Sequence, residues 1–264
     1  MNASKDSTIL RDFIIQNLKY LRYDGGGGGR VDLPSFEFSP LDYLRFAQNE
    51  IGNDDTKAIS VQSSLNCVNH LKRAADCAID TVLWVLHLYD MFQKRNLKFE
   101  KKIELLNSMG LFNPRSLKKL NTMRNKMEHE YRSPESTNLD LYFELIQGFV
   151  YALDGSIHML AHDTEMDFVT QDDTDDSVRS KLGLKVEYVF EKPSVTFELW
   201  DHGKIDNLEF IASDGIENFA FAVNVFFLLV RSKALISAES VIENLLQAYN
   251  SLEKGGIVRH QSAG

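Results

Sequence analysis

Apolar residues recur at intervals of three and four through the first 160 positions and at intervals of two shortly afterwards, so the chain reads as helices followed by strands. Ile9, Leu10, Phe13, Ile14, Leu18 and Leu21 predict an amphipathic helix over 8–22. Ser39-Pro40 supplies an N-cap and a first-turn proline for a short helix ending near Ile51. A long helix from about Thr56 to Phe92 follows, with Leu65, Val68, Leu71, Ala75, Ala78, Ile79, Val82, Leu86 and Tyr89 on its apolar stripe. Its length suggests the spine of a bundle. Phe99 to Met109 predicts a helix stopped by Gly110, and Asn113-Pro114 opens another that Pro134 ends. Ser136 or Thr137 caps a further helix from Leu139 to about Ala161.

The period then changes. Residues 184–190, 194–200 and 207–212 alternate as half-buried strands do, with turns at Glu191-Lys192-Pro193 and Asp201-His202-Gly203-Lys204. Two helices, Ile216 to Ser232 and Ala238 to Leu252, close the pattern, and the tail from Gly255 is expected to be disordered. Between the two halves the acidic run from Asp163 to Asp176 reads as a solvated linker. The five glycines Gly25–Gly29 lack the Gly-Lys-Ser/Thr ending of a phosphate loop and read as a flexible loop.

The composition is that of a globular protein, 44% hydrophobic and 25% charged. Asp6, Arg11 and Asp12 interrupt any signal-peptide core, and the apolar run Phe219–Val230 falls short of the roughly 20 residues that span a bilayer. Cys67 and Cys77 read as core residues of a reducing compartment, so a cytoplasmic protein is expected. The net charge of −9 is unevenly placed: residues 1–160 carry 20 basic and 20 acidic side chains, residues 161–264 carry 9 and 18. Within residues 94–132 the count is 11 basic to 4 acidic, a local surplus that can attract phosphate despite the acidic total.

That surplus surrounds the stretch LKKLNTMRNKMEHEYRSP, residues 117–134. On a wheel of about 100° per residue, Leu117, Leu120, Met127 and Tyr131 fall within about 60° of Arg124, with Asn125 near 100° and His129 near 140°. A guanidinium on an apolar stripe is costly unless it is paired or the stripe lines a cleft. Pairing with Glu128 at i+4 is one resolution, with His129 at the surface and Tyr131 in the core. His70 and His87 read as structural or solvated. His158 and His162, at i and i+4, lack the glutamate of a zinc-protease motif and better mark a boundary.

The segment RNKMEHEY resembles the R-x4-6-H signature of the HEPN family (higher eukaryotes and prokaryotes nucleotide-binding). Arg124, Asn125 and His129 match it, and Tyr131 extends it to the R-x4-H-x-Y form of HEPN toxins paired with nucleotidyltransferase antitoxins. The likeness covers residues 56–162. It implies a HEPN-like helical bundle there (56–162) and explains neither flank; with the periodicity read above, the expected fold is mainly α, with an N-terminal helical extension with a Gly-rich loop (1–55) before the bundle, and the acidic linker (163–176) and a small α+β part with an antiparallel sheet (177–264) after it. The likeness also implies a metal-independent RNA endonuclease that works as a homodimer in toxin-antitoxin or antiphage defence, with no cofactor and no metal. Arg124, Asn125 and His129 would be catalytic, Tyr131 would be a site of regulatory modification by a nucleotidyltransferase antitoxin, and Lys118, Lys119, Lys126 and Arg132 would bind RNA. The family also includes non-catalytic dimerisation and nucleotide-binding modules, so a scaffold for a partner is the alternative. A third reading has the acidic C-terminal part recognise a phage or host protein.

Overall fold

A computed structural model of the chain describes residues 3–52, 59–94, 98–112, 139–170 and 181–254. Among these the protein is mainly α, with eight α-helices and one five-stranded antiparallel sheet. No described helix is long and apolar enough to cross a membrane.

The sheet runs β1 (Leu21–Gly27), β2 (Glu165–Thr170), β3 (Leu182–Val189), β4 (Ser194–Asp201) and β5 (Lys204–Ile211), each strand paired with its neighbour in sequence order. Its inner face follows from the period of two: Leu184, Val186 and Tyr188 face the same way, opposite Leu199, Phe197 and Val195 of β4. Leu208 and Phe210 of β5 continue the layer beside Phe197 and Val195. Against this face lies the helix Ile216–Ser232, which buries nearly every side chain from Phe219 to Val230. A helix apolar on all sides needs cover on all sides. The sheet covers one, and the helices Lys5–Asn17, Phe99–Ser108 and Ala238–Glu253 cover others.

The remaining helices form the second half of the molecule. In chain order we label the helices α1 (Lys5–Asn17), α2 (Pro40–Ile51), α3 (Val61–Val85), α4 (Tyr89–Lys94), α5 (Phe99–Ser108), α6 (Leu139–His162), α7 (Ile216–Ser232) and α8 (Ala238–Glu253). α2, α3 and α6 pack against one another. α2 starts at a capping box, Ser39 accepting from the Asp42 backbone N–H while Asp42 accepts from that of Ser39. α1 belongs with the sheet half: Ser4 N–H and Ser7 Oγ donate to Asn218 Oδ1 of α7 at 3.1 and 2.8 Å, and the Arg11 guanidinium lies 4.1 Å above the Tyr249 ring of α8. One contiguous apolar cluster runs through both halves, from Leu10 through Leu71 and Phe149 to Phe197 and Phe226.

Three sequence expectations are corrected. The first helix gives way to a 3-10 turn at Leu18 and then to β1, so part of the glycine run is an edge strand rather than a flexible loop. Gly26 opposes Met166, and a Cβ on Gly26 would fall 2.1 Å from the Glu165 carbonyl oxygen, so the approach of the two backbones requires glycine. Residues 165–170, expected within the acidic linker, form β2; Met166 and Phe168 turn inward while Glu165 and Asp167 face outward. The expected helix from Thr56 to Phe92 is broken after Val85, where His87 takes a φ of 52°, and α4 starts anew at Tyr89.

The break has a tertiary cause. The Leu86 carbonyl, freed at the end of α3, accepts a 3.0 Å hydrogen bond from Tyr188 Oη of β3, and burial pushes the tyrosine hydroxyl's pKa up so that it stays a donor. Tyr188→Phe leaves that buried carbonyl unpaired and is expected to cost about 1–2 kcal/mol in urea unfolding, with unchanged far-UV circular dichroism.

Candidate functional site

Arg124, Asn125, His129, Tyr131, Lys118, Lys119, Lys126 and Arg132 all fall in residues 113–138, outside the described residues, as do the helix expected from Asn113 and the caps at Ser136 and Thr137. The structure does define what holds both ends of that stretch. α5 ends as its sequence predicts: Gly110 takes a φ of 70°, and Leu111 N–H returns to the Leu106 carbonyl at 3.0 Å, closing a Schellman turn. Two side chains of α7 satisfy the carbonyls left over. Asn224 Nδ2 donates to Ser108 O and Arg231 Nη1 donates to Gly110 O, both at 3.0 Å. Phe112 then stacks edge-on against Phe149 of α6, with ring centroids 4.7 Å apart. On the far side Leu139, fully buried, begins α6. The described residues on either side of the motif segment, Phe112 and Leu139, both lie on the core.

The basic surplus of residues 94–132 is partly spent inside the protein. Lys102 pairs with Asp80 of α3 at 2.6 Å, and Lys101 pairs with Glu104 at 2.8 Å. Burial raises the Asp80 pKa, and the Lys102 ammonium opposes that shift. This contact joins α5 to α3 and leaves Lys102 no free charge to offer phosphate. The charge count along the sequence could not distinguish such a cation from an available one.

The histidines are dispersed. His70 rests against the Phe46 ring at 5.5 Å, and burial lowers its pKa, which favours the neutral form. His158 lies 3.7 Å from Asp154 on an exposed face of α6. Asp163, which follows His162, is engaged by Lys233, whose ammonium also sits 4.3 Å over the Tyr23 ring. No group of three or more His, Cys, Asp or Glu residues is placed to hold a metal ion among the described residues. Burial pushes the Cys67 thiol up to about 12 and that of Cys77 to about 11, so neither is a thiolate at neutral pH.

A cleft of about 640 Å³ opens between α5, α7 and α8. Glu217, Phe221, Asn224, Leu228 and Arg231 form its α7 wall, at spacings of four and three. The sequence carried a signal for it: Glu217, Asn224 and Arg231 stand seven apart in a mostly apolar helix, which puts them on one face.

No protein-family model matches the chain, and no curated protein or solved structure does either.

Proposed function

We propose that the protein is a metal-independent RNA endonuclease of HEPN type, acting as a homodimer in a toxin-antitoxin or antiphage setting. One observation carries the reading: Arg124, Asn125, His129 and Tyr131 stand in the R-x4-H-x-Y order, within the part of the chain richest in basic residues. The helical surroundings are consistent with it, since the motif segment lies between α5 and the long α6, and α6 packs on the long α3.

The residue types suffice for the chemistry. The imidazole of His129 can take the proton from a ribose 2′-hydroxyl or return one to the departing 5′-oxygen. Attack of that 2′-oxygen on the adjacent phosphorus breaks the bond to the 5′-oxygen and leaves a 2′,3′-cyclic phosphate. Arg124 presents a planar pair of N–H donors to the phosphate and offsets the charge that builds on it in the transition state. Asn125 positions the phosphate or the imidazole. Lys118, Lys119, Lys126 and Arg132 supply sequence-independent attraction to the RNA backbone, which weakens as salt rises. Tyr131 offers a hydroxyl that a partner nucleotidyltransferase would modify to silence the site.

The test is incubation of purified protein with RNA in EDTA. Cleavage that persists in the chelator is the expected result; RNA that stays intact over a range of protein concentrations and salt contradicts the proposal.

A further inference from the structure

We infer that the cleft between α5, α7 and α8 is a binding site for a small molecule carrying one carboxylate or phosphate group, held by Arg231. The inference is independent of the ribonuclease reading, because it rests on described residues alone.

Arg231 lies in the last turn of α7, partly buried, and lines the cleft. Among the described residues one of its five N–H donors is used, Nη1 donating to the Gly110 carbonyl at 3.0 Å. Its guanidinium carbon lies 5.9 Å from the centre of the Phe227 ring. No carboxylate reaches it among the described residues, although the molecule pairs several more exposed cations, Lys192 and Lys204 among them. Burial lowers its pKa, which is the desolvation cost of holding the charge there. A planar guanidinium with parallel donors free is matched by the two oxygens of a carboxylate or phosphate.

The cleft has the volume of a small-molecule site. Its walls near Arg231 are Phe112, Leu228 and Gly110, with Asn107, Asn224 and Gln247 contributing amides farther along. Glu104, Glu217 and Lys254 are the other charged residues that line it, and Glu217 lies fourteen residues from Arg231 on one helix, or about 21 Å along the axis at 1.5 Å per residue. A single anionic group at the arginine end is favoured, whereas a run of phosphates extending along α7 would be brought toward Glu217. That polarity fits a small ligand with one acidic end and a neutral or basic remainder, and argues against RNA in this cleft.

The experiment follows the Arg231 Nε–H resonance of the full-length protein by NMR at constant ionic strength, during titration with inorganic phosphate, with succinate, and with chloride as control. The expected result is a saturable shift with phosphate or succinate and none with chloride, and the anion that binds tells the two ligand chemistries apart. Ala248→Trp fills the cleft while leaving Arg231 in place, and is expected to weaken binding by tenfold or more. Arg231→Gln, read by calorimetry, should do the same. If loss of the bond to Gly110 unfolds that variant, Ala248→Trp decides alone. Absence of a saturable shift with either anion, or equal affinity in Ala248→Trp, overturns the assignment.

Discussion

Gly26→Val is expected to destabilise the protein by about 2–3 kcal/mol, while Gly27→Val one position along leaves stability nearly unchanged. The difference lies in what a side chain would meet. At Gly26 a Cβ would stand 2.1 Å from the Glu165 carbonyl oxygen and 3.2 Å from the Met166 Cα, both backbone atoms of the paired strand that cannot swing aside. At Gly27 nothing lies within 4 Å. Valine at 26 therefore forces β1 away from β2 and breaks the ladder that pairs Leu21 through Gly27 with Thr170 through Glu165. β2 would become the open edge, with unpaired backbone groups beside Met166 and Phe168. Urea unfolding of the two variants measures the contrast. Equal midpoints for Gly26→Val and Gly27→Val would show that β1 is not held against the sheet in this register.

His129→Ala is expected to reduce RNA cleavage by about 10²–10⁴-fold, the usual size of a general acid–base contribution. The same substitution should leave RNA affinity close to that of the wild type, because an uncharged imidazole adds little to a binding energy dominated by Lys and Arg. Arg124→Lys distinguishes the partner role. Lysine keeps the charge but loses the paired donors, so the rate should fall while the salt dependence of binding is retained. A variant of His129 that loses binding and cleavage together would assign the histidine to holding RNA rather than to proton transfer.

Much of this fold was legible in the sequence because its signals are local. Ser39-Pro40 and Gly110 mark helix ends through bonds to near neighbours in the chain, and the structure uses both. The strands at 182–211 show their alternation because one face meets α7 and the other faces outward. β1 was hidden because a glycine run has no side chains to alternate; its place is set by close backbone contact with a strand about 140 residues later in the chain. β2 was obscured by its charge, although Glu165-Met166-Asp167-Phe168 does alternate. The end of α3 was illegible for a different reason. Apolar spacing continues through Leu86, Tyr89 and Phe92, and the chain turns where the hydroxyl of Tyr188, 102 residues away, takes up the Leu86 carbonyl.

The same division holds for the sites. The R-x4-H-x-Y order can be read directly, since it is a pattern of neighbours. The availability of each lysine cannot, because Lys102 finds Asp80 on another helix. The cleft left only the faint trace of three polar residues seven apart, and its depth depends on how α5 and α8 are set beside α7.

The most direct test of the central claim uses two oligoribonucleotides of one sequence in EDTA, one fully ribose and one carrying a single 2′-deoxy residue at the position the protein cuts. The account predicts that the first is cleaved to a fragment ending in a 2′,3′-cyclic phosphate, and that the second resists cleavage at that position because it lacks the attacking oxygen. Cleavage of both, or of neither, would contradict it.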